Sequence, residues 1–235
     1  MTTLHDTEII GPALLLNGKD LILSDLHLGA EATIVGNGVL LPRTQKDDTF
    51  KLIDDILERC RPERIILNGD IKHEFGTIQD EEWRNVLQLL DKLSRKVRVD
   101  IVKGNHDTIL LPILRKRGLE AKDSILIKGD LIIHGDREPT REELDQATRI
   151  ITGHEHPSLM LDDGIRQERF KAFLTGTYKD RELIIMPSMY PLVEGSDVIK
   201  EPGLGPIMKE AEGLEAHAIE GFDTYPFGPL KNLNT

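Results

Sequence analysis

The chain has 235 residues, 39% of them hydrophobic, a length that one domain with a sizeable core accommodates. Its 41 acidic residues against 30 Lys and Arg leave a net charge of −11, which argues against a surface built to grip long DNA through its phosphates. No apolar run approaches the roughly 20 residues of a membrane span; the start lacks a basic stretch followed by an apolar one, and the single cysteine, Cys60, cannot form an internal disulfide, so a cytoplasmic chain without membrane contact is expected.

In chain order, Leu14-Leu15-Leu16 predicts a strand, and Asn17-Gly18 predicts a hairpin into the next apolar run. That run, Leu21-Ile22-Leu23, ends in Ser24-Asp25-Leu26-His27. Phe50, Ile53, Leu57 and Cys60 recur at helical spacing. Ile65-Ile66-Leu67 runs into Asn68-Gly69-Asp70, and Trp83, Val86, Leu87, Leu90 and Leu93 make a second helical face. The stretch from Val99 to Val102 runs into Lys103-Gly104-Asn105-His106-Asp107. A third helical face, from Ile109 to Leu114, is ended by Gly118. Ile125-Leu126-Ile127 predicts another strand, and Leu131-Ile132-Ile133 leads to His134-Gly135-Asp136. Thr140 with Glu143 fits a capping box that opens a short helix through Ala147. Ile150-Ile151 leads to Thr152-Gly153-His154-Glu155-His156, and Leu183-Ile184-Ile185 reads as a further strand.

Alternating strands and helices argue for an α/β layered fold. One domain is expected over 1–235, with its core at about 10–200 and a partly irregular Gly- and Pro-rich tail beyond. Tyr190 to Val198 is expected to continue the sheet, and the last ten residues to be poorly ordered. The basic clusters Arg95/Lys96/Arg98 and Arg115/Lys116/Arg117 read as solvated helix ends.

Each polar group that follows an apolar run sits at the C-terminal end of a predicted strand, the edge where sites assemble in open α/β sheets. Asp25 and His27 are two apart, so an extended chain points them the same way. Alone, an Asp-x-His or a Gly-Asp is an ordinary turn. Asn105-His106-Asp107 and His154-Glu155-His156 are harder to explain by turn chemistry. Aspartate and imidazole together are ligands for borderline divalent metals.

At these residues the chain resembles the calcineurin-like metallophosphoesterase superfamily, whose pattern is D-x-H, G-D, G-N-H-D/E, a lone His and G-H-x-H. The resemblance spans about residues 20–190. Ser24 to Gly29, Leu41-Pro42-Arg43-Thr44-Gln45 and Leu67 to Gly76 make it most similar to the SbcD-related predicted phosphoesterases of archaea, cousins of the bacterial ligase-associated phosphoesterases. Where the wider family often has an acidic or Asn-rich stretch, Ile71-Lys72-His73-Glu74 stands.

The resemblance implies a two-sheet α/β sandwich flanked by helices, and two divalent metal ions. Manganese is favoured, with Fe, Zn, Co or Ni as alternatives. It implies that Asp25, His27 and His156 hold one ion, that Asn105, His134 and His154 hold the other, and that Asp70 bridges them. His106 would be the general acid, oriented by Asp107, while a metal-bound hydroxide attacks phosphorus in line. Arg43, His73 and Arg137 are candidate contacts for substrate phosphate. The expected activity is phosphodiester hydrolysis on nucleotides or nucleic-acid ends. The alternatives are a phosphomonoesterase on a small metabolite, or a non-catalytic scaffold like a retromer subunit with this fold. Family members are often dimers, so a homodimer is also expected.

Overall fold

The computed structural model describes residues 3–4, 6–30, 45–73, 80–162, 164, 166–191, 195–201 and 203–233. Two sheets face each other. The first runs in order through Thr3–Leu4 (β1), Thr7–Ile10 (β2), Ala13–Leu16 (β3), Asp20–Ser24 (β4), Arg64–Asn68 (β5), Arg98–Val102 (β6) and Ala121–Lys122 (β7). From β1 to β4 the pairing is antiparallel, and from β4 to β7 parallel. The expected hairpin joins β3 to β4, with Asn17 and Gly18 at φ 50° and 67°, the positive values that primed turns require.

The second sheet contains Ser124–Ile127 (β8), Asp130–Ile133 (β9), Arg149–Thr152 (β10), Pro157–Asp162 (β11), Gln167–Tyr178 (β12), Arg181–Ile185 (β13), Ser196–Asp197 (β14), Glu212–Glu220 (β15) and Asp223–Pro229 (β16). Its order is β14-β11-β12-β13-β10-β9-β8, with β15 paired to both β12 and β16. Strands β9, β10 and β13 run parallel, with Ile132, Ile151 and Ile184 in register.

Alternation along these short strands sorts the apolar side chains into layers. Ile22 and Ile66 of the first sheet meet Ile132, Ile151 and Ile184 of the second in the space between the sheets. Their chain neighbours Leu21, Leu23, Ile65 and Leu67 face the other way. There they pack against the helices Gln45–Cys60 (α1) and Asp80–Ser94 (α2), through Ile53, Ile56, Val86 and Leu90. Leu131, Ile133, Ile150 and Leu183 form the outer core of the second sheet. Strands buried on both faces read as unbroken apolar runs, which is why the sequence marked them. The helices Leu111–Lys116 (α3), Arg141–Gln146 (α4) and Pro206–Glu210 (α5) are short. Thr140 and Glu143 make the expected capping box at α4, which ends at Gln146 with Ala147 as its C-cap. The α/β sandwich with flanking helices is the fold the sequence implied.

Within the tail, expected to be partly irregular, β15 and β16 form a hairpin that joins the second sheet along β12, and Leu230–Asn232 closes it as a short 3-10 turn. Of Tyr190 to Val198, Ser196–Asp197 alone is strand among the described residues. Backbone pairing that spans 46 positions, from Ala172 to Ala218, leaves no local trace in the chain.

Candidate metal centre

Parallel strands end at one edge, so the loops after β4, β5, β6, β9 and β10 all open on the same side of the sandwich. The loops after β4 and β5 run on side by side past the strands. The His27 amide donates to the Asp70 carbonyl at 2.9 Å, the Leu28 amide to Ile71 at 2.9 Å, and Leu28 bridges Lys72. This brings Asp25, His27 and Asp70 together. All three are at most 4% exposed.

The backbone is strained where the chemistry sits. Asp25, His27, Asp70, His154 and His156 have φ of 56°, 43°, 46°, 67° and 46°, values that side-chain-bearing residues seldom adopt. Such strain persists only where the surroundings impose it. Here it turns side chains from strand ends inward. Glycine does related work: a Cβ on Gly104 would overlap the Asp70 carboxylate, and one on Gly153 would overlap Ser24 and Asp25.

Three sets of donor atoms result, each within 4.8 Å: Asp25 with His27 and His156, His27 with Asp70 and His106, and Asp70 with His134 and His154. In the first, the Nε2 atoms of His27 and His156 face each other at 3.1 Å, and Asp25 Oδ1 lies 3.2 Å from His156 Nε2. In the last, His134 Nε2 lies 3.3 Å from Asp70 Oδ2 and 3.1 Å from Asn105 Oδ1. His134 donates through Nδ1 to the Asn68 carbonyl at 3.3 Å, which leaves Nε2 turned to the cluster. A carbonyl on the far nitrogen is the usual support of a metal-binding imidazole.

The electrostatics of the cluster are those of a cation site. Burial would raise the Asp25 carboxyl, but His156, His134 and His27 hold it well below the usual carboxylate range. Burial, then the charge of His156, pushes His27 down to about 3, so that ring stays neutral. Burial disfavours a charged His134 as well, yet Asp70 and Asp25 override it and lift that ring to about 10. The carboxylates thus draw positive charge into the site. Nδ1 of His27 is buried without a hydrogen-bond partner among the described residues. Converging imidazole nitrogens, neutral His27, two buried carboxylates and no thiolate fit a pair of borderline divalent ions on either side of Asp70.

His106 is brought to this cluster. Its amide donates to Asp70 Oδ1 at 3.0 Å, and its Nε2 lies 3.6 Å from Asp70 Oδ2. Its Nδ1 donates to the His73 carbonyl. Asp107, expected to orient it, is engaged with backbone amides. The two Asp107 oxygens accept the backbone amides of Ile71 at 3.0 Å and Gly104 at 3.1 Å, because that side chain turns under the loop. Burial, reinforced by Asp70, pushes Asp107 up to about 7. Asp107 therefore braces the β5 and β6 loops against each other.

His73 stands at the edge of the cluster, its ring 5.4 Å from that of His27 and 6.1 Å from that of His106. Arg137 points its guanidinium elsewhere. It is held in two bonds, 2.7 and 2.9 Å, by Glu143, and also meets the carbonyls of Glu138 and Asp123, so the phosphate contact expected of it is not set up. Arg43 lies outside the described residues.

The sequence reading missed the supports. Ser24 donates to Asp25 Oδ2 at 2.7 Å, and Ser188 donates to the Asp25 carbonyl at 2.7 Å. Lys171 donates to the carbonyls of Ser188 and Tyr190, and burial pushes its amine down to about 7. Ser24 sits beside a motif residue and carried a local signal; Ser188 and Lys171 carried none.

The sequence profile of calcineurin-like phosphoesterases matches residues 21–195. The chain belongs to this family. It is therefore a metal-dependent phosphoesterase with a candidate dinuclear site. No curated protein matches it. Among solved structures it is similar to the nuclease MPE of Pseudomonas putida, at 16% identity over 92% of each chain and a TM-score of 0.63. Weaker likenesses include Vps29 of Cryptosporidium parvum, 13% identical over 88% of this chain and 94% of that one, TM-score 0.40. The E. coli phosphoesterase YfcE is 13% identical over 86% and 87%, TM-score 0.37. At 16% identity the likeness to MPE speaks for the fold alone.

Proposed function

We propose that this protein is a dinuclear phosphodiesterase acting on nucleotides or nucleic-acid ends, and that it belongs with the SbcD-related phosphoesterases. The observation that carries the reading is the two donor sets that flank Asp70, with His106 beside them. Asp25, His27 and His156 would hold one ion and Asn105, His134 and His154 the other, with Asp70 between. Two bound divalent ions would supply an activated water at neutral pH and neutralise phosphate charge. Manganese suits the mixed nitrogen and oxygen donors, as do Fe, Zn, Co and Ni.

The chain's own residues do the rest. The Nδ1–H bond to the His73 carbonyl holds the His106 ring so that Nε2 is the nitrogen turned to the cluster. From there a protonated His106 delivers its Nε2 proton to the departing ester oxygen. Asp25, kept ionised by its histidines and by the Ser24 hydroxyl, draws the ions in. The name of the Pseudomonas neighbour, a nuclease, supports a diester substrate over a monoester.

The test is turnover of bis-p-nitrophenyl phosphate against p-nitrophenyl phosphate by protein loaded with Mn²⁺, with metal content measured in parallel. Faster diester turnover at about two metal equivalents per chain is expected. Faster monoester turnover would favour a phosphomonoesterase. No turnover with the ions bound would leave a scaffold.

A further inference from the structure

Glu155 lies between His154 and His156 and is 5% exposed, yet it belongs to none of the donor sets. Its oxygens serve a distant loop. Oε2 accepts the Leu204 amide at 2.8 Å and Oε1 accepts the Gly205 amide at 2.6 Å. Hydrogen bonds to a carboxylate are about twice as strong as neutral ones, so this is a firm attachment.

The loop is drawn hard against the site. A Cβ on Gly205 would stand 2.6 Å from Glu155 Oε1, 2.7 Å from the Gly135 carbonyl and 3.1 Å from the His154 ring. Glycine is needed there because nothing larger fits. On the far side, Pro206 opens α5, and buried Ile207 pins that helix into the outer core. Residues 203–205 therefore cannot move off without breaking the Glu155 bonds or the Ile207 packing.

Between these anchors stands Leu204, 62% exposed, the most exposed large apolar side chain among the described residues. A single exposed leucine is ordinary on a surface. This one sits on a braced loop, and adjacent Cα atoms are about 3.8 Å apart, which puts its Cα within about 8 Å of the His154 ring. Around it the donor cluster is all imidazole, carboxylate and amide. Leu204 is the apolar side chain carried by the loop that borders His154.

We propose that Leu204 is a specificity-determining residue of this site, an apolar lip braced by Glu155 that packs on the flat base of a nucleotide whose phosphate lies over His154. The inference rests on the phosphoester reading of the site and narrows it to nucleotide substrates. Glu155 is a positioning residue in this arrangement. It touches no substrate and acts by holding Leu204 in place.

Binding separates this from catalysis. Thymidine 5′-monophosphate and methyl phosphate are titrated calorimetrically into Mn²⁺-loaded full-length protein. Leu204→Ser should weaken the nucleotide about tenfold, the scale of one partly buried leucine, and shift methyl phosphate by less than about twofold. Leu204→Met should recover most of the loss. Equal weakening of both ligands, or no change in either, overturns the proposal. In metal-free protein, Glu155→Gln, which keeps one acceptor of two, should speed hydrogen exchange at the Leu204 and Gly205 amides by about tenfold. Unchanged exchange overturns the bracing role. If the wild type binds both phosphates but hydrolyses no diester, the proposed activity falls while the affinity ratio still judges Leu204. If it binds neither, both fall.

Discussion

Two buried polar clusters occupy opposite ends of the same strands, and they are built in opposite ways. At the start of β9 and β10, Arg149 is 5% exposed and donates to Asp130 at 2.7 Å and to Asp6 at 2.8 Å, with Glu182 at 3.9 Å. Asp6 precedes the first sheet's β2, so this guanidinium ties the two sheets together. Burial raises the Asp130 carboxyl and Arg149 opposes that rise. The carboxylates have a permanent covalently attached cation. At the other end of the same strands, Asp25 and Asp70 face imidazole nitrogens. One of those rings is driven neutral and another is lifted by the carboxylates. A cluster that carries its own Arg is a clamp. A cluster of carboxylates and imidazoles with converging lone pairs is a place for an exchangeable cation.

The comparison can be broken at either end. The largest effect is expected from His106→Ala, which should lower diester kcat by about 10²- to 10⁴-fold while metal content stays at the wild-type level. Loss of metal in that variant would make His106 a ligand and not an acid. Arg149→Ala should instead cost about 3–5 kcal/mol in denaturant unfolding, because it strands the buried Asp130 carboxylate, with kcat per folded molecule kept. A cost under about 1 kcal/mol would mean the clamp is mere surface pairing.

Metal addition sharpens the contrast. Mn²⁺ at about a hundred times its dissociation constant should raise wild-type stability by about 2.7 kcal/mol per site. Arg149→Ala should keep that increment, and Asp70→Ala should lose most of it. If Asp70→Ala gains as much as the wild type, the ions bind elsewhere.

The smallest effect concerns the Arg137–Glu143 pair, a less buried counterpart of the Arg149 clamp. The hydrogen bond from Arg137, opposed by partial burial and helped by Ser124, holds Glu143 down to about 2 from its ordinary 4.5. A depressed carboxylate contributes stability above its unfolded pKa, and that contribution fades as pH falls from about 4.5 to about 2. In Glu143→Gln the stability of metal-free protein should therefore fall less steeply across that window. An identical slope would show the pair to be neutral for folding. Because the pair is only partly buried and solvent screens it, the difference should be slight.

The runs Leu21-Ile22-Leu23, Ile65-Ile66-Leu67 and Ile150-Ile151 announced their strands because both faces of each are buried and every residue must be apolar. Strands β12, β15 and β16 gave no such signal. Most of their residues are exposed or partly so, and β16 contains Pro226 next to a register shift against β15. Their stability comes from one another, and nothing local reports it.

The sequence by itself marked the candidate donors: Asp25, His27, Asp70, Asn105, His134, His154 and His156 each stand out by type and by position after an apolar run. A strand end is legible because burial stops there. Tertiary structure alone decided the partnerships. His27 meets His156 across 129 positions, and Glu155 holds Leu204 across 49. It also decided that His106 bonds the His73 carbonyl, that its neighbour Asp107 accepts backbone amides of two loops, and that Arg137 pairs with Glu143. Adjacent residues point apart along a chain, whereas converging loops bring distant ones together, and that convergence exists only once the two sheets have packed.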